Sequence, residues 1–206
     1  MALSPPQSQS DDLSLSHDDA GGARYTFKPS LAGSPRQFEL TDAGLAWQTG
    51  GRRGVWPYAS IAAIRLSYRP VSMQPRRFRG DIFNRSGQRL TVLSTSWKGI
   101  AMASTQDEGY RAFMLELHRR LGAAGGEVIL SGGLRPVIYG LATGVLAVLA
   151  LAMATLMIRA VMIGALAGAL FLVAVAVVFG WQIGGFMRRN KPCVYTPDRI
   201  PAQLLP

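Results

Sequence analysis

The order of apolar and polar positions divides the chain into a short-period half and a continuous apolar half. From Arg24 onward apolar residues alternate with polar ones, the pattern of half-buried strands. Tyr25 pairs with Phe27, Phe38 with Leu40, and Leu45 with Trp47 after a tight turn at Asp42, Ala43 and Gly44. Gly50, Gly51, Arg52, Arg53 and Gly54 read as a hairpin loop leading to Val55 and Trp56. The clearest alternation sets Ile64, Leu66 and Tyr68 against Arg65, Ser67 and Arg69, one face buried and one wet. Beyond a Pro- and Arg-rich loop, strands are predicted at 81–84 and 90–94, separated by the turn signal Ser86-Gly87.

The period then lengthens. Tyr110, Phe113, Met114, Leu117 and Leu121 fall on one stripe of a helix. Thr105 and Glu108 fit a capping box with Thr105 as N-cap, and Gly122 suits the C-terminal end. Asp107 with Arg111 and Glu116 with Arg120 have the favourable i,i+4 polarity. Gly125, Gly126, Gly132 and Gly133 predict a flexible linker over residues 123–135.

From 136 to 187 periodicity gives way to an apolar run whose one charge is Arg159. As a single helix it would extend roughly 78 Å, against a bilayer core of about 30 Å. Two antiparallel spans, 136–158 and 162–187, joined near Arg159, resolve the mismatch. Gly140/Gly144, Gly164/Gly168 and Gly180/Gly184 recur at four-residue spacing, which lets helix backbones approach closely. Those faces serve either to pack the two spans together or to assemble a homo-oligomer or larger complex. Neither span carries an ionisable residue at mid-depth, which argues against a proton or ion pathway built by this hairpin alone.

Charge sharpens this division. The net charge is +10, and residues 21–135 hold seventeen Lys/Arg against seven Asp/Glu. Residues 1–22 are acidic and rich in Ser, Asp, Pro and Gln, a composition that predicts a disordered tail. Arg119, Arg120 and Arg135 precede the apolar run, and Arg188, Arg189, Lys191 and Arg199 follow it. The positive-inside rule then assigns both termini to the cytoplasm of a bacterial inner membrane. Consistent with that, no basic-then-apolar leader is seen at the start, and the single cysteine, Cys193, forbids an intrachain disulfide. The 19:3 ratio of arginine to lysine hints at a GC-rich bacterial genome. Residues 188–206 read as a basic, Pro-containing cytoplasmic tail.

Six or seven short strands and a closing helix make residues 23–122 resemble a pleckstrin-homology-like (PH-like) domain of the bacterial kind often joined to transmembrane helices. The residues carrying the resemblance are Phe38 to Leu45, Val55 to Ile61 leading to Ile64–Leu66, and the helix Tyr110 to Leu121. It implies an α+β fold, a bent antiparallel sheet or open barrel of 6–7 strands capped by one C-terminal helix, here followed by a two-helix transmembrane hairpin. It does not imply a particular ligand.

The candidate chemistry is cationic. Arg65, Arg69, Arg76, Arg77 and Arg79, with Arg52 and Arg53 in another loop, predict a surface for anionic lipid headgroups or a partner protein, because guanidinium forks match phosphate oxygens. A solvated cytoplasmic face is the competing reading. Trp47, Trp56, Trp97 and Phe78 are expected in the core. With His17, His118 and Cys193 as the whole His/Cys complement, no His/Cys metal cluster is expected; neither is any cofactor, nucleic-acid motif or catalytic signature. The sequence therefore predicts a non-enzymatic, membrane-anchored interaction module, with an accessory subunit of a larger membrane complex as the alternative.

Overall fold

The computed structural model describes residues 23–30, 32–70, 77–97 and 103–206. The tail expected over 1–22 and the arginine at position 76 lie outside the described residues. Four strands, β1 (Arg24–Phe27), β2 (Arg36–Thr41), β3 (Gly44–Thr49) and β4 (Arg52–Trp56), form an antiparallel meander in chain order. A second sheet contains β5 (Ile61–Tyr68), β6 (Phe78–Asn84) and β7 (Arg89–Leu93). The short strands β8 (Thr95–Trp97) and β9 (Ala103–Thr105) pair with each other before helix α1 (Asp107–Ala123).

Alternation sets the inner faces as expected. Tyr25, Phe27, Phe38, Leu40 and Leu45 from one sheet and Ile64, Leu66, Phe78 and Ile82 from the other are buried. The predicted stripe of α1, Tyr110, Phe113, Met114, Leu117 and Leu121, closes the core between them. Phe27 stacks on Phe38 at 6.1 Å between centroids, and Tyr25 lies 5.7 Å from Phe113, contacts each worth about 1 kcal/mol beyond area burial.

Four boundaries differ from the sequence expectation. Thr105 does not cap α1: its backbone pairs with Thr95 in the β8–β9 ladder, and Gln106 occupies the N-cap without a side-chain bond. The helix also runs past Gly122, and the left-handed residue that ends the turn is Gly125. The supposed linker over 123–135 contains β10 (Ile129–Gly132), which pairs parallel to β5. Finally, the C-terminal tail, read as an extended segment that can rest against the soluble domain, does dock there and adds a strand that the sequence did not suggest. Its strand β11 (Cys193–Val194) pairs antiparallel with β10, completing the order β11-β10-β5-β6-β7. Tyr195, Leu204 and Leu205 are buried in the core of the soluble domain. Parallel pairing requires a long connection, and the chain supplies it between β5 and β10 through β6–β9 and then α1.

The apolar run forms α2 (Pro136–Met162) and α3 (Leu166–Arg189). At about 1.5 Å per residue they extend roughly 40 and 36 Å, enough to cross a bilayer core of about 30 Å. Their mean hydropathies are 2.4 and 2.2, and the rest of the chain covers almost none of their surface. That exposure separates them from the core helices of a water-soluble domain. The reversal occurs at Ile163, Gly164 and Ala165 rather than at Arg159, which lies in the last turn of α2. Gly164 takes φ +75°, so it makes the turn instead of a helix-packing face.

Candidate functional site

Two features converge at the end of β5: an arginine-bearing sheet face and the neck that holds the hairpin. Strand parity creates the first. Because Leu66 opposes Gly80 and Tyr68 opposes Phe78 on the inner face, Arg65, Ser67 and Arg79 point outward between them. The same register continues one step to Arg69 and Arg77, whose backbones are joined by the Arg69 N–H donating to the Arg77 carbonyl at 2.8 Å. Four of the seven sequence-predicted arginines therefore share the outer face of β5 and β6. Arg52 and Arg53 do not join them; they begin β4, in the other sheet, and are exposed.

One carboxylate organises this face. Asp81, 8% exposed, lies opposite Arg65 on β5 and Thr91 on β7. Arg79 donates to both of its oxygens, from Nε at 2.9 and 3.1 Å and from Nη2 at 2.9 Å. Thr91 Oγ1 donates to it at 2.7 Å, and Arg89 approaches to 4.0 Å. Such a bidentate fork spends the Arg79 charge inside the protein. Arg69 and Arg77 have no ion-pair partner among the described residues. The Arg77 Nε is buried without an acceptor, and burial first, then the neighbouring Arg79 charge, lower its pKa. Pattern reading missed Arg89, Thr91 and Asp81; the lone acid within an arginine-rich stretch was the available signal.

The neck is the second feature. The Tyr68 N–H donates to Asn190 Oδ1 at 3.1 Å, the Leu134 N–H to the Asn190 carbonyl at 3.0 Å, and the Gly133 N–H to the Leu66 carbonyl at 2.8 Å. Asn190, fully buried, directly follows α3. Arg189 sits over the Tyr68 ring, 5.0 Å from its centroid, a cation–π contact. Gly133 has φ +80°, and a Cβ there would lie 2.5 Å from the carbonyls of Asn190 and Lys191. A Cβ on Gly132 would overlap Leu204 Cδ1. These glycines read as linker residues; they are bare because three segments meet there.

Comparison with known protein families, curated proteins and solved structures finds no match. Geometry alone must therefore carry the functional reading.

The other candidates resolve as follows. Trp56 and Phe78 are buried and Trp47 is partly buried against the core, as expected, whereas Trp97 on β8 is half-buried outside the core cluster. His118 is also buried. Its Nδ1 lies 2.7 Å from the Met114 carbonyl, which accepts only, so Nδ1 carries the proton and Nε2 accepts from the Tyr195 hydroxyl at 3.1 Å. Burial lowers the His118 pKa, partly offset by the bond to Met114, and burial raises that of Tyr195. The pair latches the returning tail to α1. Burial likewise raises the Cys193 pKa, which keeps a half-buried thiol protonated. Among the described residues, no group of three or more His, Cys, Asp or Glu is arranged to hold a metal ion.

The helix-packing glycines are not where hairpin packing occurs. The less exposed positions include Tyr139, Ala142, Leu146 and Met153 on α2 and Ala169, Leu172, Val175 and Ile183 on α3, most of them three, four or seven residues from the next, and they mark the seam. A Cβ added at Gly140, Gly144, Gly168, Gly180 or Gly184 would meet nothing within 4 Å. Gly140 and Gly144 instead floor a shallow apolar groove on α2, walled by Val137, Leu141, Val145 and Val148.

Proposed function

We infer that the chain is a membrane-anchored, non-enzymatic interaction module whose basic domain engages anionic groups at the surface of the bilayer that holds its hairpin. The observation that carries this reading is the insertion of α2 and α3 between two paired strands, β10 and β11. The Arg face of β5 and β6 is thereby tied to the helix ends through Tyr68 and Asn190. Four antiparallel strands, a three-strand meander and a closing helix support a PH-like relationship. The cationic flanks Arg135, Arg188, Arg189 and Lys191 favour a cytoplasmic domain at a bacterial inner membrane, with only the Ile163–Ala165 turn outside. Reversing Arg65, Arg69 and Arg77 to Glu, which spares the Arg79–Asp81 pair, tests the reading on the full chain. It predicts loss of co-purified anionic lipid or partner; unchanged lipid and partner content sinks it. Protease protection of the Ile163–Ala165 turn in sealed inverted vesicles tests the orientation.

A second reading has its own observation. Glycine faces left open by the hairpin suit assembly with another copy or another membrane subunit. Blue-native electrophoresis after gentle extraction separates the two: migration as a single chain removes the assembly reading.

A further inference from the structure

We propose that Arg69 and Arg77 form a phosphate-binding fork for an anionic phospholipid of the leaflet in which the hairpin's ends lie. The proposal deepens the reading above and rests on its premise that α2 and α3 span the bilayer. Three observations carry it. First, the Arg69 N–H donates to the Arg77 carbonyl just beyond the paired ends of β5 and β6, so two arginines branch from adjacent main-chain positions there, and neither has an ion-pair partner among the described residues. Second, their neighbours differ from them: Arg79 is satisfied by Asp81, whereas the buried Nε of Arg77 has no acceptor. The unpaired Nε leaves the Arg77 charge uncompensated inside the protein while the residue stays partly exposed, and a phosphate offers several oxygens to two accessible guanidinium forks at once.

Third, the fork sits at the neck. Arg69 follows Tyr68, whose N–H is bound by Asn190, and Asn190 follows the last residue of α3. A chain leaving a bilayer at that point passes the level of lipid phosphates. The neck segments 66–70, 77–80, 131–136 and 186–192 contain Arg69, Arg77, Arg79, Arg135, Arg188, Arg189 and Lys191 and no Asp or Glu. The surrounding field therefore favours a negatively charged lipid over a zwitterionic one.

The test uses the full chain in nanodiscs containing equal phosphatidylglycerol and phosphatidylcholine, with retained lipid counted by native mass spectrometry after transfer to detergent. The wild type retains phosphatidylglycerol in about thirtyfold preference, from roughly two cationic contacts. Arg69→Gln with Arg77→Gln brings the ratio close to parity, while Arg77→Lys, which keeps charge but loses the fork, gives an intermediate ratio. Arg52→Gln with Arg53→Gln leaves it unchanged. Equal thermal unfolding of each variant shows that the fold is retained; should the double glutamine variant unfold, Arg77→Lys decides alone, and a wild-type ratio overturns the fork. A double variant that folds and keeps the wild-type ratio overturns it too. If the Arg52/Arg53 variant then loses the preference, lipid binding stands and its site lies on the other sheet. Displacement of the lipid by millimolar inorganic phosphate overturns the assignment to lipid. No preference in the wild type removes both the fork and the anionic-lipid reading beneath it.

Discussion

The sheet domain and the apolar hairpin solve opposite problems with the same chain. In the domain, burial is dense and polar groups are placed one by one: Asp81 is met by Arg79 and Thr91, His118 by Met114 and Tyr195, Asn190 by Tyr68 and Leu134. In the hairpin, nearly every large side chain faces outward, Leu141 at 69% and Phe171 at 68% exposed, and the two helices share one narrow seam. Specificity thus resides in the domain and the neck, whereas the hairpin tolerates change wherever the seam is spared. Lipid supplies no apolar drive between helices, so only fitted surfaces there have energetic weight.

The comparison breaks first at Leu204. It is wholly buried against Gly132, after both spans in the chain, and Leu204→Ala should cost about 2–5 kcal/mol, read as a lower unfolding midpoint of the domain. An unchanged midpoint would mean that the returning tail is not part of the domain's cooperative unit. Gly133→Val comes next. Its φ of +80° and the nearby Asn190 and Lys191 carbonyls should make the cost about 2–3 kcal/mol and loosen the neck, measurable as faster amide exchange at Leu134 and Tyr68. At the seam, Ala169→Leu should cost about 1–3 kcal/mol of hairpin stability in a steric-trapping assay. Gly140→Ala, which meets only open space, should change it by less than about 0.5 kcal/mol. Equal effects at those two positions would erase the distinction between seam and open face.

The smallest effects are titrations in the domain. His118 has its pKa lowered from 6.5, chiefly by burial. Above 6.5 both folded and unfolded chains are neutral there, and the contribution is complete. As pH falls below 6.5 the unfolded chain binds the proton first, so stability declines until the folded pKa is passed. His118→Gln should flatten that slope. Glu116 works in a lower window: bonds from Arg119 and then Arg120, opposed by burial, hold it at about 2 against an ordinary 4.5. Its stabilisation is present above 4.5 and lost as pH falls toward 2, and Glu116→Gln should remove that loss.

How much was legible depends on the range of the determining contacts. Alternation in Ile64–Tyr68 and the stripe Tyr110–Leu121 are local, and both faces are buried as read. The apolar run likewise divided into two helices, although the turn moved from Arg159 to Gly164. What failed was non-local. Gly132 and Gly133 looked like linker because composition does not record that Leu204 and Asn190 crowd them from about 60 to 70 positions away in sequence. Thr105 looked like a cap until the β8–β9 ladder took its backbone. For the site, the run of arginines was visible, and alternation could align Arg65 with Arg69. Arg79 and Asp81 stand two apart on β6, so alternation could also have put that pair on one face; what it could not show is that Arg77, on the same side, is left with a buried Nε that has no acceptor.

The insertion of the hairpin between β10 and β11 also fixes an order of events in the cell. A ribosome must make both apolar helices before Cys193, Tyr195 and Leu204 exist, so the domain cannot close while either helix is still being synthesised. Synthesis of both helices therefore precedes completion of the domain, and a chain that lacks the returning tail is left with β10 as a bare edge and an unfilled notch at Gly132. The docked tail thus closes the fold only once both apolar helices have been made.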